Sequence, residues 1–522
     1  MRSWSGVIVS LCLCFGSGYT ERVLGHSGFV SPSPKGHRFL SQRKGWRSST
    51  LKGRTLGTDD EGVSFRPTVW SEFASLAKET GGVNLGQGFP NWRPPKFVRD
   101  AGVEAIQGPY MNNQYTRTAG LTPLVEFLAA KYSNHLASEG EHRTIDGEKE
   151  VAITVGASQG LYITMLSVLR PGDEVILFEP FFNLYEGQIK CAGATAKFVP
   201  MKFAEVSKES SQGGSVSGEW QLDVEALRSA ITPLTRLIVL NTPMNPTGKV
   251  FTREELEAVA EVVRENPDVL VLSDEVYKFM IYTDEDDEDP EANVNTPVGH
   301  IHFASLPGMW DRTITVSSAG KTFSVTGWQV GWVVGPERFL APIQLRLPFM
   351  QFCACTPMQQ ALVKVLEQAL QPYAGEKSYY TWLRKAYAQR KAFLAQALEN
   401  AGLTTVRGDG GFFMIADISN IEVPQKYLEE STDACPEMTR DWAFCRFLAI
   451  ECGVVALPCS AFFSEKNKAT GKNLVRFAFC KTSPTLQEAA KRLLKLRDFR
   501  KPDAPPLPPA GDLPPVEDHE DM

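Results

Sequence analysis

Residues 317–332 read SSAGKTFSVTGWQVGW, and three chemistries compete for the lysine at 321. Gly320-Lys321-Thr322 has the form of the end of a phosphate-binding loop, in which backbone amides cradle phosphates and the lysine reaches them. Ser318-x-x-Lys321 has the form of a serine acyl-enzyme motif. A lysine placed just after a strand could instead hold an aldehyde cofactor as a Schiff base. The first reading needs a glycine five positions before Gly320, where this chain has Thr315. The second needs Ser-Asp-Asn and Lys-Thr-Gly partners, neither of which occurs, and its serine usually opens a helix, whereas Ser318 is expected to end a strand. The Schiff-base reading remains, beside the plain alternative of a solvated loop lysine.

The elements that must position this lysine follow from the apolar runs. Between residues 150 and 335 such runs alternate with helical periods, the pattern of a largely parallel sheet. VAITV (151–155), EVILF (174–178), LIVLN (237–241), VLVLS (269–273) and TITVSS (313–318) are predicted strands. GASQG follows the first and opens a helix with Leu161, Met165, Val168 and Leu169 on one face. Thr252 and Glu255 form a capping box for a helix presenting Leu256, Val259 and Val263, so the third and fourth runs flank a helix as a strand–helix–strand unit. In such a sheet ligands bind beyond the carboxyl ends of the strands. The residues there are Gly156-Ala157-Ser158, Glu179 to Phe182, Thr242 to Asn245, Asp274 to Tyr277, and Gly320-Lys321. Phosphate-binding backbone, an aromatic ring, an amide, a carboxylate, a phenol and a lysine thus meet at one edge, which argues against a lysine that is merely solvated.

The rest of the chain bounds the problem. Its 522 residues are enough for two domains, and 43% apolar with 22% charged residues is ordinary for a globular protein. A net charge of -7 provides no long-range attraction for nucleic acid or an anionic membrane, so small-molecule work is the default. Two of the ten cysteines, Cys12 and Cys14, lie in the leader, and the rest have neither C-x-x-C spacing nor a period, which argues against a disulfide framework or zinc site. Residues 1–60 join a short apolar run, GVIVSLCLCFGSG, to a Ser- and Arg/Lys-rich stretch without acidic residues. We read a bipartite targeting leader, as for a plastid reached through the secretory route; a secretory signal with a linker, or a mitochondrial destination, are the alternatives. Residues 501–522 are Pro-rich and acidic and are expected to be a disordered tail, and the polar insertions at 207–220 and 284–295 to be surface loops.

The pattern S-x-x-K-x-x-x-x-x-G-x-x-x-G, preceded by NTPMNPTGKVF and SDEVY, resembles the class I aminotransferases that use pyridoxal phosphate, above all their kynurenine aminotransferase and glutamine transaminase K branch. NLGQGFPNW, NQYTRTAG, GASQGLY, EPFFNLYEGQIKCAGA and NLVRFAFCK match in order and spacing, so that the resemblance spans about residues 65–497. It implies pyridoxal 5′-phosphate as cofactor, with Lys321 as the lysine that carries it and moves the proton at the substrate Cα. Asp274 would pair with the pyridine nitrogen; an acidic helix cap is the alternative. Tyr277 and Asn245 would bond the ring hydroxyl, although Asn245 also suits a turn in MNPTG, and Asn241 is a weaker candidate. Ala157, Ser158 and Ser318 would supply donors to the phosphate and Phe182 would stack on the ring, or serve as core.

In LVRFAFC, Val475, Phe477 and Phe479 alternate to one face and Arg476 to the other, suiting a planar, bidentate cation aimed into a cleft. The resemblance gives Arg476 the substrate carboxylate, with Gly88 and Trp70 nearby; a structural ion pair is the alternative. Tyr115 would reach the phosphate of a second subunit, which implies a homodimer with shared sites.

Two departures stand out. Relatives carry Lys or Arg against the phosphate eight residues after the lysine, where this chain has Gln329; and Ala354 and Cys355 stand where aromatic-preferring relatives have Phe-His.

The implied fold is α/β, pyridoxal-phosphate fold type I, with a large mixed, mostly parallel sheet domain and a smaller α/β domain. The expected organisation is a leader (1–60), an N-terminal arm joining the small domain (61–100), a large cofactor-binding domain (101–345), connecting helices with the small C-terminal domain (346–500), and the tail (501–522). In the small domain Pro484 should open a helix with Leu486, Ala489, Ala490, Leu493 and Leu494 on one face. The expected activity is transfer of an amino group from an L-amino acid, aromatic, sulfur-containing or glutamine-like, to a 2-oxo acid in two half-reactions. β-Elimination from cysteine S-conjugates on the same scaffold, and a non-catalytic binding protein, are the alternatives. No metal, nucleic acid or membrane partner is expected.

Overall fold

A computed structural model describes residues 67–135, 143–204, 218–282, 299–507 and 509–519. The targeting leader, the insertion at 284–295 and residues 207–217 of the insertion at 207–220 lie outside these residues; the end of the latter is not the surface loop expected, since Glu219–Gln221 pairs with Lys202–Ala204 and Trp220 is buried. Seven strands form the main sheet: β1 (Val151–Val155), β2 (Glu174–Glu179), β3 (Thr195–Pro200), β4 (Thr235–Asn241), β5 (Leu270–Asp274), β6 (Thr313–Ser318) and β7 (Val330–Val334), in the order β1-β7-β6-β5-β4-β2-β3. Every neighbouring pair is parallel except those made by β7, which runs antiparallel to β6 and β1. The apolar pattern did not single out β3 or β7. Residues 319–329 join β6 to β7, fewer than the dozen or so that a parallel crossover needs, so the chain turns back beside the strand it has just left.

Alternate residues of the strands feed two apolar layers. Ile176, Ile238, Leu240 and Val271 pack on one face with Leu256, Val259 and Val263, which come from helix α2 (Arg253–Glu265). Val175, Leu237, Val239, Leu272, Ile314 and Val316 pack on the other with Leu161 and Met165 of helix α1 (Gly156–Val168). Burial on both faces is why these strands read as unbroken apolar runs. The capping box on α2 forms as expected, Thr252 Oγ1 accepting from Glu255 N and Glu255 Oε2 from Thr252 N. Ser318 ends β6 and also caps a single turn, α3 (Ala319–Thr322), so it does stand before a helix; the acyl-enzyme reading fails on its missing partners instead.

A smaller antiparallel sheet holds β8 (Thr404–Thr405), β9 (Phe413–Asp417), β10 (Leu457–Pro458) and β11 (Leu474–Ala478) in the order β8-β9-β11-β10. The N-terminal segment joins this half: Val83–Asn84 pairs with Val454–Val455, and Ala478 N donates to Leu85 O at 2.6 Å. Long helix α4 (Tyr379–Asn400) and α5 (Ser483–Leu493), with proline in its first turn, complete it. Leu494, expected on the apolar face of α5, begins a 3-10 turn and is 40% exposed. The expected boundary at 345/346 falls inside the helix Glu337–Met350.

The tail departs from expectation. Its described residues carry no helix or strand, as its composition suggested, yet they are anchored: Val516 is buried, Asn400 exchanges hydrogen bonds of 2.8 and 2.9 Å with Gly511, and Asp518 binds Ser483 and Arg390. A few specific polar contacts hold a segment too poor in apolar residues to fold by burial alone.

Candidate active site

The strand ends open onto a cavity of about 450 Å3. Lys321, on the turn after β6, projects into it with Nζ donating to Gly88 O at 3.2 Å and lying over the rings of Tyr277 and Phe412. Burial lowers its pKa, so its amine gives up a proton more readily than a surface lysine does. Gly88 has no room for a side chain, since a Cβ there would stand 2.3 Å from the ring of Phe413.

Asp274 is the last residue of β5 and is buried. Burial pushes its carboxyl up to about 6, opposed by hydrogen bonds from Tyr185 Oη to Oδ2 (2.7 Å) and from Val276 N to Oδ1 (3.3 Å). Tyr185 lines the same cavity and was not singled out in the sequence, where a tyrosine on a short helix after EPFFN has the appearance of core. Asn241 Nδ2 donates to Asp274 O (3.0 Å) and its Oδ1 accepts from Asn245 N (2.8 Å), so it braces the strand ends while also lining the cavity. Burial raises the pKa of Tyr277, which stands edge-on to Phe412 and Phe413.

Behind Asp274, Glu275 is enclosed by Ser273, His300 and His302. Two ligands of a tetrahedral zinc with bonds of about 2.0–2.1 Å would stand about 3.3 Å apart. His302 Nδ1 lies 2.5 Å from Glu275 Oε2, which is hydrogen-bond distance, so this cluster braces the end of β5.

At the other end of the cavity the first amides of α1, at Ala157 and Ser158, are not capped by a side chain, and Ser318 stands beside them. Gln329 closes this end in a left-handed conformation (φ 51°), its Nε2 donating to Thr326 O at 2.6 Å. Gly156 has φ 68°, which favours glycine, and a Cβ on it would lie 2.6 Å from Gln329 Oε1, so a larger residue would also displace the Gln329 amide. Lys321 and Arg476 are the cations lining the cavity, and neither is at this end.

Arg476 arrives from the smaller sheet, fully buried on β11. Nη1 donates to Asn245 Oδ1 (2.8 Å) and Nη2 to Gly86 O (2.7 Å), while the guanidinium lies 3.9 Å from the ring centre of Phe413 and 5.2 Å from that of Trp70. Its Nε has no hydrogen-bond partner, and among the described residues it forms no ion pair, which removes the structural ion-pair reading. Burial brings its pKa down to about 10, so it keeps its charge at neutral pH. Trp70 and Phe182 wall this region, their rings edge-on at 6.3 Å. Gly88 lines the cavity beside Arg476, and the carbonyl oxygens of Gly86 and Gly88 accept from Arg476 and Lys321. Tyr115, unlike the other site residues proposed from the sequence, does not line this cavity; it is 76% exposed and packs on Phe352.

Residues 80–493, most of the chain, match the family described as aminotransferase class I and II. The chain belongs to this family. The aminotransferase is 41% identical over 442 residues to a kynurenine–oxoglutarate transaminase of Dictyostelium discoideum, covering 83% of this chain and 95% of that protein. Among solved structures it is similar to N-succinyldiaminopimelate aminotransferase from Mycobacterium tuberculosis, with TM-score 0.67 and 32% identity over 82% of this chain and 97% of the other. It is also similar to YbdL from Escherichia coli, whose structure and reactivity identify a methionine aminotransferase function, with TM-score 0.69 and 26% identity over 85% of this chain and 100% of the other. The aminotransferase has the type I α/β fold, uses pyridoxal 5′-phosphate and moves amino groups to 2-oxo acids; transfer, rather than β-elimination, is what its relatives favour.

The residues present fit that cofactor. Buried Asp274 faces the cavity as a counter-charge for a pyridinium, uncapped helix amides and Ser318 suit a phosphate, and a desolvated lysine stands between them.

Proposed function

We propose that this aminotransferase takes its amino group from an uncharged L-amino acid, aromatic, sulfur-containing or glutamine-like, with Arg476 holding the α-carboxylate. The observation that carries this reading is the composition of the cavity. Among the described residues Arg476 is its one cation besides Lys321, and the walls beside it are Trp70, Phe89, Phe182, Tyr277 and Phe413. A second carboxylate on the donor would meet aromatic faces and no cation, whereas an apolar or amide side chain fits them.

The roles follow from position. Arg476 presents a fork already oriented by Asn245 and Gly86, which suits the two oxygens of a carboxylate. Lys321 Nζ, with its lowered pKa, takes the proton from Cα of the bound donor and returns one in the second half-reaction. Pyridoxal phosphate, when bound, supplies the electron sink that makes Cα acidic. Asp274, fixed by Tyr185, would be ionised on pairing with a pyridinium and hold that charge in place, and Tyr277 and Asn245 would hydrogen-bond the ring hydroxyl. Ala157, Ser158, Ser318 and Gln329 supply neutral donors to the phosphate.

The exposed apolar residues support a homodimer. Tyr110 (76% exposed), Tyr115, Leu345 (73%), Phe349 (91%) and Phe352 (54%) are large side chains that a monomer would leave in water. A second copy would bury them and bring Tyr115 toward the neighbouring phosphate end. Cys355 lies exposed near this patch and Ala354 is buried beside it; neither lines the cavity of its own chain. The sequence of residues 1–60 supports import into an organelle.

The test is spectroscopic. The chain from residue 60 onward is loaded with cofactor and its visible absorption followed as a panel of amino acids is added. Aromatic, sulfur-containing or glutamine-like donors are expected to bleach the band fastest, and Lys321→Ala to abolish the response. Fastest bleaching by aspartate or glutamate would refute the assignment.

A further inference from the structure

Asp518 lies beyond the stretch that matches the family, residues 80–493, yet it is tied to the part of the site that handles substrate. Its carboxylate accepts from Ser483 N (2.9 Å to Oδ1 and 3.1 Å to Oδ2), from Ser483 Oγ (2.9 Å) and from Arg390 Nη2 (2.7 Å). Arg390 is fully buried in α4, where a guanidinium needs a counter-charge to be tolerated, and Asp518 supplies one. The same guanidinium lies 5.1 Å from the ring centre of Trp92, and its Nε donates to Lys481 O at 3.1 Å.

From Lys481 the path reaches the cavity in one step. Lys481 Nζ donates to the carbonyls of Gln87 and Phe89, both at 2.9 Å, and Thr482 N donates to Asn91 Oδ1 at 2.7 Å. The segment held in this way, residues 86–92, carries the Gly86 carbonyl that orients Arg476 and the Gly88 carbonyl that takes Lys321. Asp518 therefore clamps the two supports, Arg390 and the start of α5, between which this segment hangs.

We propose that Asp518 is a positioning residue for amino transfer, the end of a strap that holds residues 86–92 at the distance at which Gly86 orients Arg476. The proposal rests on the assignment of Arg476 to the substrate carboxylate. Both substrates carry that carboxylate, so loosening the strap weakens both to the same degree, while the proton transfer at Lys321 proceeds once either is bound.

The experiment uses cofactor-loaded enzyme from residue 60 onward as wild type, Asp518→Ala, Asp518→Glu, a chain ending at Arg500, and Arg476→Lys. Asp518→Ala is expected to raise KM for amino acid and 2-oxo acid alike by about fivefold to tenfold with kcat within about twofold, the loss of the bonds from Ser483 N, Ser483 Oγ and Arg390 Nη2 being only partly transmitted to Arg476. Asp518→Glu should recover most of that loss, and the shortened chain should match or exceed the alanine variant. A lowered thermal midpoint with both KM values unchanged would make the strap merely structural and overturn the proposal. So would a KM change confined to one substrate. If Arg476→Lys leaves KM unchanged, the carboxylate assignment itself fails, and the proposal with it. Asp518 is near the surface, its side chain 27% exposed, so the alanine and glutamate pair decides the matter even if the shortened chain does not fold.

Discussion

Replacing Asp274 with asparagine should stabilise the enzyme without cofactor while weakening its hold on the cofactor. The folded protein keeps this carboxyl at a pKa of about 6 against 3.8 for the free group, because burial disfavours the ionised form. A group raised in the folded state binds protons more tightly there than in the unfolded chain, so stability falls as pH rises from about 3.8 to about 6 and then levels off. Two units at 1.36 kcal/mol each make the penalty about 3 kcal/mol at pH 8, with roughly half of it present at pH 5. Asparagine has nearly the same shape and never ionises; its oxygen can accept from Val276 N while its amide nitrogen donates to Tyr185 Oη, whose hydroxyl can turn to accept. Chemical unfolding of cofactor-free wild type and Asp274→Asn should therefore favour the variant by about 3 kcal/mol at pH 8, the gap shrinking to about half at pH 5. With cofactor the order reverses, since a buried cation left without its counter-charge should lower affinity by about a hundredfold. A variant less stable than wild type at pH 8, or a gap that does not narrow at pH 5, would refute the reasoning.

Three further outcomes are expected. Gln329→Lys places a cation at a phosphate end that lacks one and should tighten cofactor binding by about tenfold in equilibrium dialysis; an unchanged dissociation constant would remove the idea that neutral donors hold the phosphate loosely. Arg476→Lys loses the fork that meets Asn245 and Gly86, and steady-state kinetics should show KM raised by about a hundredfold for amino and oxo acid together. Phe349→Glu puts a charge in the exposed apolar patch; sedimentation should show a shift toward monomer, with activity falling in parallel if Tyr115 serves a neighbouring site.

What the sequence made legible was whatever depends on where a strand stops. Lys321, Asp274, Asn245 and Ser158 follow apolar runs that can only be buried strands, so their convergence could be expected before any coordinates. Arg476 was legible because alternation along β11 sends it opposite to Val475 and Phe477. Tyr185 was not, because a buried tyrosine on a helix looks the same whether it fills core or bonds a carboxylate. β7 was hidden at the end of the lysine motif, where Gly331 and Trp332 read as part of the site. Asp518 lay within a tail whose composition speaks for absent burial but says nothing of a single carboxylate meeting a buried arginine.

One feature of β7 separates what this enzyme can change from what it cannot. A Cβ on Gly331 would stand 2.4 Å from the carbonyl carbon of Gly156 and 2.6 Å from Ala157 N, so the strand after Lys321 and the start of α1 touch backbone to backbone. The lysine and the phosphate cradle thus form one unyielding block. Arg476, Gly86 and Trp70 come from the opposite half, built on another sheet and the N-terminal segment. Substrate preference can drift by substitution on that second half while the first keeps its chemistry, so a variant library aimed at new amino donors belongs on Trp70, Phe89 and Phe413, and not on residues 317–332.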